Sequence, residues 1–115
     1  MVEMCVSMPV LPDKVKMLRE LGGTLSGPRA AEYRNSNKKQ GISKEVWFLE
    51  KTASGYQMLV YFVAKDPANA AKTFIDSKDP FDVFERRTLS EITGLDFSKP
   101  SDGPYPECIM TCVVE

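Results

Sequence analysis

The chain has 115 residues, 43% of them apolar and 27% charged, and its 15 basic and 16 acidic side chains leave a formal net charge of -1. These values suit one globular domain over residues 1–115 and remove the global positive field of a nonspecific nucleic-acid binder. No apolar run approaches the roughly 20 residues that span a bilayer, and the chain contains no histidine. Ser-His-Asp, Cys-His, HxH and HExxH sites are therefore excluded, and neither a metal nor a cofactor is expected.

The opening MVEMCVSMPVLPDK has acid before base and no continuous apolar stretch, unlike a secretory signal. Residues 2–8 instead alternate as a first strand, which Pro9 and Pro12 are expected to end. Val15, Leu18 and Leu21 then form one stripe of a helix that Gly22 and Gly23 should interrupt. A second helical segment is expected from near Pro28, with Ala30, Ala31 and Tyr33 inward and Gly41 at its exit.

The next stretch, 44-KEVWFLEKTASGYQMLVYFVAKDP-67, reads as a hairpin of strands 44–51 and 56–65 about a TASG turn. Val46 and Phe48 share one face and Trp47 and Leu49 the other. In the second strand Met58, Val60 and Phe62 oppose Leu59, Tyr61 and Val63. Both faces are therefore apolar, whereas a sheet with one side in water should alternate more cleanly.

Asp66-Pro67 opens a helix carrying Ala70, Ala71, Phe74 and Ile75. Asp79-Pro80 breaks it and begins another, with Phe81, Phe84, Leu89 and Ile92 inward and Gly94 at its end. Asp82, Glu85, Arg86, Arg87 and Glu91 fall on its expected solvent face, where four-residue spacings permit modest ion pairs. The turn-rich segment 95–107 leads to a last strand, ECIMTCVVE, over residues 107–115.

This order gives an α+β, ferredoxin-like sandwich, β-α-β-β-α-β with an extra helical segment, built on a four-stranded antiparallel sheet. Helices cover one sheet face, so the other calls for a second copy packed back to back in a homodimer.

The opening VEMCVSMPVLPDKVKMLREL, the run AEYRNSNKKQGISKEVWFLEKTASGYQMLVYFVAKDP, the block FDVFERRTLSEITGLDF and the late strand together resemble a bacterial family of small uncharacterised proteins. That family belongs to the dimeric α/β-barrel superfamily, and the resemblance covers nearly the whole chain. It implies the fold and the dimer more strongly than any reaction. Relatives in that superfamily include cofactor-free monooxygenases, haem-degrading enzymes, isomerases and decarboxylases, with pockets commonly between sheet and helices.

The candidate ligand-binding residues are Tyr33, Arg34, Trp47 and Tyr61. Arg34 and Tyr33 can hold an anionic or carbonyl-bearing ligand, and Trp47 and Tyr61 can wall an apolar pocket. Against this stand a solvated helix end for the first pair and a core or interface role for the second. Cys5, Cys108 and Cys112 read as buried, inert thiols of a cytoplasmic protein, with Cys5 the one to watch. The expected function is binding of a small organic ligand by a homodimer, with no nucleic-acid or membrane partner. The alternative is a cofactor-independent monooxygenase or isomerase acting on a small carbonyl or aromatic substrate.

Overall fold

A hairpin organises the sheet: β2 (Ile42–Thr52) and β3 (Gly55–Ala64) pair antiparallel from Thr52–Gly55 outward, with a bulge between Ile42 and Lys44. Gly55, at φ 147°, closes the turn in a conformation that side chains disfavour. The computed structural model describes residues 1–101 and 103–115. In it β1 (Val2–Val10) lies antiparallel on the far side of β3, giving the order β1-β3-β2. The architecture is α+β, with a three-stranded antiparallel sheet and four helices, compatible with a ferredoxin-like fold.

The fourth strand expected over 107–115 is absent from this sheet. Those residues are exposed and have no strand partner. Pro9 does not end β1 either: the strand continues to Val10, with Pro9 opposite Gln57. An edge strand tolerates this because proline removes a donor that the sheet interior would need.

The described residues form four helices. α1 (Val15–Ser26) runs straight through Gly22 and Gly23, because its apolar stripe continues past them to Leu25 and buries Leu18, Leu21 and Leu25 together. The break comes instead at Gly27, where a Cβ would lie 2.8 Å from the Gly23 carbonyl oxygen. α2 (Ala30–Lys39) is polar and buries Ser36. α3 (Pro67–Asp76) starts where the Asp66 carboxylate accepts the Asn69 N–H at 3.2 Å. α4 (Pro80–Thr93) starts where Asp79 accepts the Phe81 N–H at 2.9 Å, and it ends on Gly94 at φ 75°. Such caps satisfy backbone donors that a helix end leaves unpaired.

The core lies between the helices and one sheet face. Val10, Met58 and Val60 meet Leu18, Leu21, Leu25, Phe81, Leu89 and Ile92, with Met58 and Ile92 fully enclosed. The other face carries Cys5, Val46, Phe48, Leu59, Tyr61 and Val63, as the strand registers require. Phe48 there is 56% exposed. The two-sided apolar pattern of the hairpin is thus real, and one side of it stands open in the single chain. All three cysteines are exposed, contrary to the buried thiols expected from sequence. Cys5 faces out because it shares the open row, and Cys108 and Cys112 because their segment joins no sheet. Among the described residues no helix is long and apolar enough to cross a membrane.

Candidate functional site

The row of β2 beneath the helices holds Glu45, Trp47 and Leu49, paired with Phe62, Val60 and Met58 of β3. A carboxylate in an apolar row needs partners. Glu45 Oε2 accepts the Trp47 indole N–H at 2.7 Å, two residues along the same face. The Tyr33 hydroxyl and the Asn37 side chain, both from α2, lie near enough to favour the charged form of this carboxylate.

Aromatic packing fixes Tyr33 in place. Its ring meets Trp47 edge-on, with centroids 6.4 Å apart and planes at 73°, a geometry favoured by ring quadrupoles. It also meets Phe81 of α4, with centroids 6.4 Å apart. The Arg29 guanidinium stacks over Phe81 and Phe84, 4.9 and 4.5 Å from their centroids, while also binding Glu32 at 2.9 Å.

Beside these groups opens a cavity of ≈ 470 Å³ between α1, α2 and β2. Its walls are Gly22, Leu25, Ser26, Ala30, Tyr33, Arg34, Glu45, Val46 and Trp47. The volume falls in the range that holds small organic molecules. Three of the four residues expected from sequence, Tyr33, Arg34 and Trp47, therefore converge. Tyr61 does not join them. It sits on the opposite sheet face, where its hydroxyl donates to Glu3.

Electrostatics distinguish the cavity further. Burial pushes the Glu45 carboxyl up, against the opposing pull of Trp47, Tyr33 and Asn37, which stabilise its charge. Glu85 of α4 is only 5% exposed. Burial, reinforced by the charges of Glu45 and Asp82, pushes its carboxyl up to about 8. Burial and the neighbouring Glu45 charge also raise the Tyr33 phenol. At neutral pH Glu85 is therefore mostly protonated, and Tyr33 keeps its proton to donate. A desolvated acid on a cavity wall, as Glu45 is, is the raw material of acid–base chemistry.

Neither glutamate belongs to the site expected from sequence, although each leaves a signal there. Glu45 falls on the Trp47–Leu49 row of β2, and Glu85 on the Phe81–Leu89–Ile92 stripe of α4. Both are charges on apolar stripes, and Glu85 is not on the solvent face expected for it.

A second polar cluster ties α2 to α4. Asp82, 2% exposed, accepts hydrogen bonds from Ser36 and Ser77 and from Lys39 Nζ at 3.3 Å. Gln40 Nε2 donates to Ser36 Oγ at 3.0 Å. Burial opposes ionisation of Asp82, but the two hydroxyls and the Lys39 charge outweigh it and hold the carboxyl below its ordinary value. Asp82 thus does not form the surface pair with Arg86 expected from their spacing. Arg86 donates instead to the Phe74 carbonyl. A second, comparably open cavity of ≈ 380 Å³ adjoins this cluster. Among the described residues no group of three or more His, Cys, Asp or Glu side chains could hold a metal ion.

Comparison with family models, with curated proteins and with solved structures gave no match. The site must therefore be interpreted from its own chemistry.

Proposed function

We propose that the protein binds a small organic molecule with a carbonyl group in the cavity between α1, α2 and β2, and moves a proton on it without a cofactor. The observation that carries this reading is the desolvated Glu45 carboxyl at the cavity wall, hydrogen-bonded to Trp47 and near Tyr33. A general base or acid must have an ionisation raised toward the working pH and must reach the reacting atom. Glu45 meets the first condition through burial and the second by lining the cavity. The Tyr33 hydroxyl, which lies near Glu45, would turn its one proton from that carboxylate to a developing enolate oxygen. Arg34, on the same wall, suits a carboxylate or other anionic substituent. Trp47 and Leu25 give an apolar surface for the rest of the molecule.

Of the two reactions considered from sequence, isomerisation draws more support than oxygenation. An isomerase needs one group to take a proton and give it back, and the Glu45–Tyr33 pair offers that chemistry directly. The proposal also includes a homodimer, with the open apolar row around Phe48, Leu59 and Tyr61 as the contact between copies. Apolar area of this kind is otherwise a liability in water.

Trp47 is the only tryptophan in the chain, so its fluorescence reports on the cavity directly. A panel of small oxo acids and aromatic ketones should include compounds that shift Trp47 emission saturably. Arg34→Ala should weaken the anionic members selectively. Proton transfer is read separately, as exchange of the bound ligand's α-proton with deuterated solvent, and Glu45→Gln should abolish it while binding persists. Binding without exchange would leave a ligand-binding protein and remove the isomerase reading.

A further inference from the structure

The nine residues ECIMTCVVE at 107–115 pose a problem that the single chain does not solve. Ile109, Met110, Val113 and Val114 are 90, 74, 79 and 88% exposed. The segment has the alternation of a strand, yet it pairs with none. Meanwhile β1 is an edge strand, bonded to β3 on one side and unpaired along the other. An open edge of this length is a template for another strand. We propose that residues 107–115 of one copy add as a fourth strand to the free edge of β1 in a second copy, and that the exchange is reciprocal. This goes beyond the pocket reading and does not depend on it.

The side-chain rows match in one parity. On β1, Val2, Met4, Val6 and Met8 face the helices, and Glu3, Cys5 and Ser7 face the open side. In the tail, Cys108, Met110, Cys112 and Val114 form an all-apolar row, and Glu107, Ile109, Thr111, Val113 and Glu115 a mixed one. Setting the apolar row beside Val2–Met8 continues the core, and the mixed row then meets Glu3, Cys5 and Ser7. A slip of one residue would put Glu107 and Glu115 over the core, so burial selects the register parity. Antiparallel addition extends the pattern of the existing sheet.

Within the single chain the tail pairs with no strand, which leaves the free edge of β1 to a second copy. Phe97 anchors the chain after α4: its side chain packs on the core and its N–H donates to Ser90 Oγ at 3.2 Å. Beyond it, Pro100, Pro104 and Pro106 each restrict the backbone locally, and Gly103 lies at φ 82° between them. The tail stands clear of its own β1 and presents its apolar side chains outward. Exchange of one identical element between two copies satisfies both edges at once with two-fold symmetry.

Disulfide trapping in the full chain tests this. In a Cys5→Ser, Cys108→Ser background, Met4→Cys and Val6→Cys each place a thiol on the row that should lie beside native Cys112. Under mild oxidation at least one of them should convert most of the protein to a covalent dimer that reduction dissolves. Ser7→Cys, on the other row, should cross-link poorly. Met110→Pro, which removes a strand donor, should abolish the cross-link without altering the circular dichroism of the body. Three results would overturn the proposal: an intrachain disulfide in a monomer, no disulfide from either even-row variant, or equal cross-linking from Ser7→Cys.

Discussion

Replacing Glu85 by glutamine should make the protein more stable at neutral pH and flatten its dependence on pH. Burial beside Glu45 and Asp82 raises the carboxyl from 4.5 to about 8. The folded chain therefore keeps a proton that the unfolded chain releases above its ordinary value. The stability tied to that proton is fully present below about pH 4.5 and is lost as pH rises toward 8. Each pH unit inside that window costs about 1.4 kcal/mol, so the loss between about pH 5 and about pH 7.5 is roughly 3 kcal/mol. That is a large share of the ~5–15 kcal/mol that holds a domain folded. Denaturant unfolding of the wild type and Glu85→Gln at both pH values isolates the effect as a difference. The wild type should lose roughly 3 kcal/mol more than the variant over the interval. Parallel profiles for the two proteins would show that Glu85 is ionised or solvated, and would refute the reasoning.

Further outcomes follow from other parts of the structure. Asp82→Ala should destabilise the fold by about 1–3 kcal/mol at neutral pH, because the buried Ser36 hydroxyl loses its acceptor and Ser77 and Lys39 lose a partner. Its carboxyl is held below the ordinary value, so the stabilisation it gives is present above about pH 4 and lost as pH falls through the lowered value. Acid denaturation of the variant should accordingly be less steep than that of the wild type. Gly94→Ala should cost about 1–2 kcal/mol, since φ is 75°, a backbone region that side chains disfavour. Thermal unfolding measures it directly, and an unchanged midpoint would mean that α4 ends differently.

The extent to which the sequence specifies this structure varies along the chain. The hairpin was legible because Val46, Trp47, Phe48 and Leu49 sit beside a short glycine-bearing turn, and period-two alternation fixes which of them share a face. The helix starts at Asp66-Pro67 and Asp79-Pro80 were legible because capping is local chemistry. Gly22-Gly23 misled, since helix propensity gave way to the tertiary contacts of Leu18, Leu21 and Leu25. Pro9 misled because its cost depends on whether a strand lies at an edge, which only the assembled sheet decides. The tail misled because a period-two pattern alone supplies no partner, and residues 107–115 pair with no strand in the single chain.

Within the site, Tyr33, Arg34 and Trp47 came from residue type, and Tyr61 was separated from them by the parity of β3. Glu45 and Glu85 were missed because charged side chains are ordinarily assigned to solvent. A glutamate on an otherwise apolar stripe was the available signal.

The most direct measurement is a Trp47 fluorescence titration with small carbonyl acids, comparing the wild type with Glu45→Gln and Arg34→Ala. The account predicts a saturable change in emission for at least one compound, weakened by Arg34→Ala, with α-proton exchange in the wild type and none in Glu45→Gln. No response to any carbonyl compound, or exchange that survives Glu45→Gln unchanged, would contradict it.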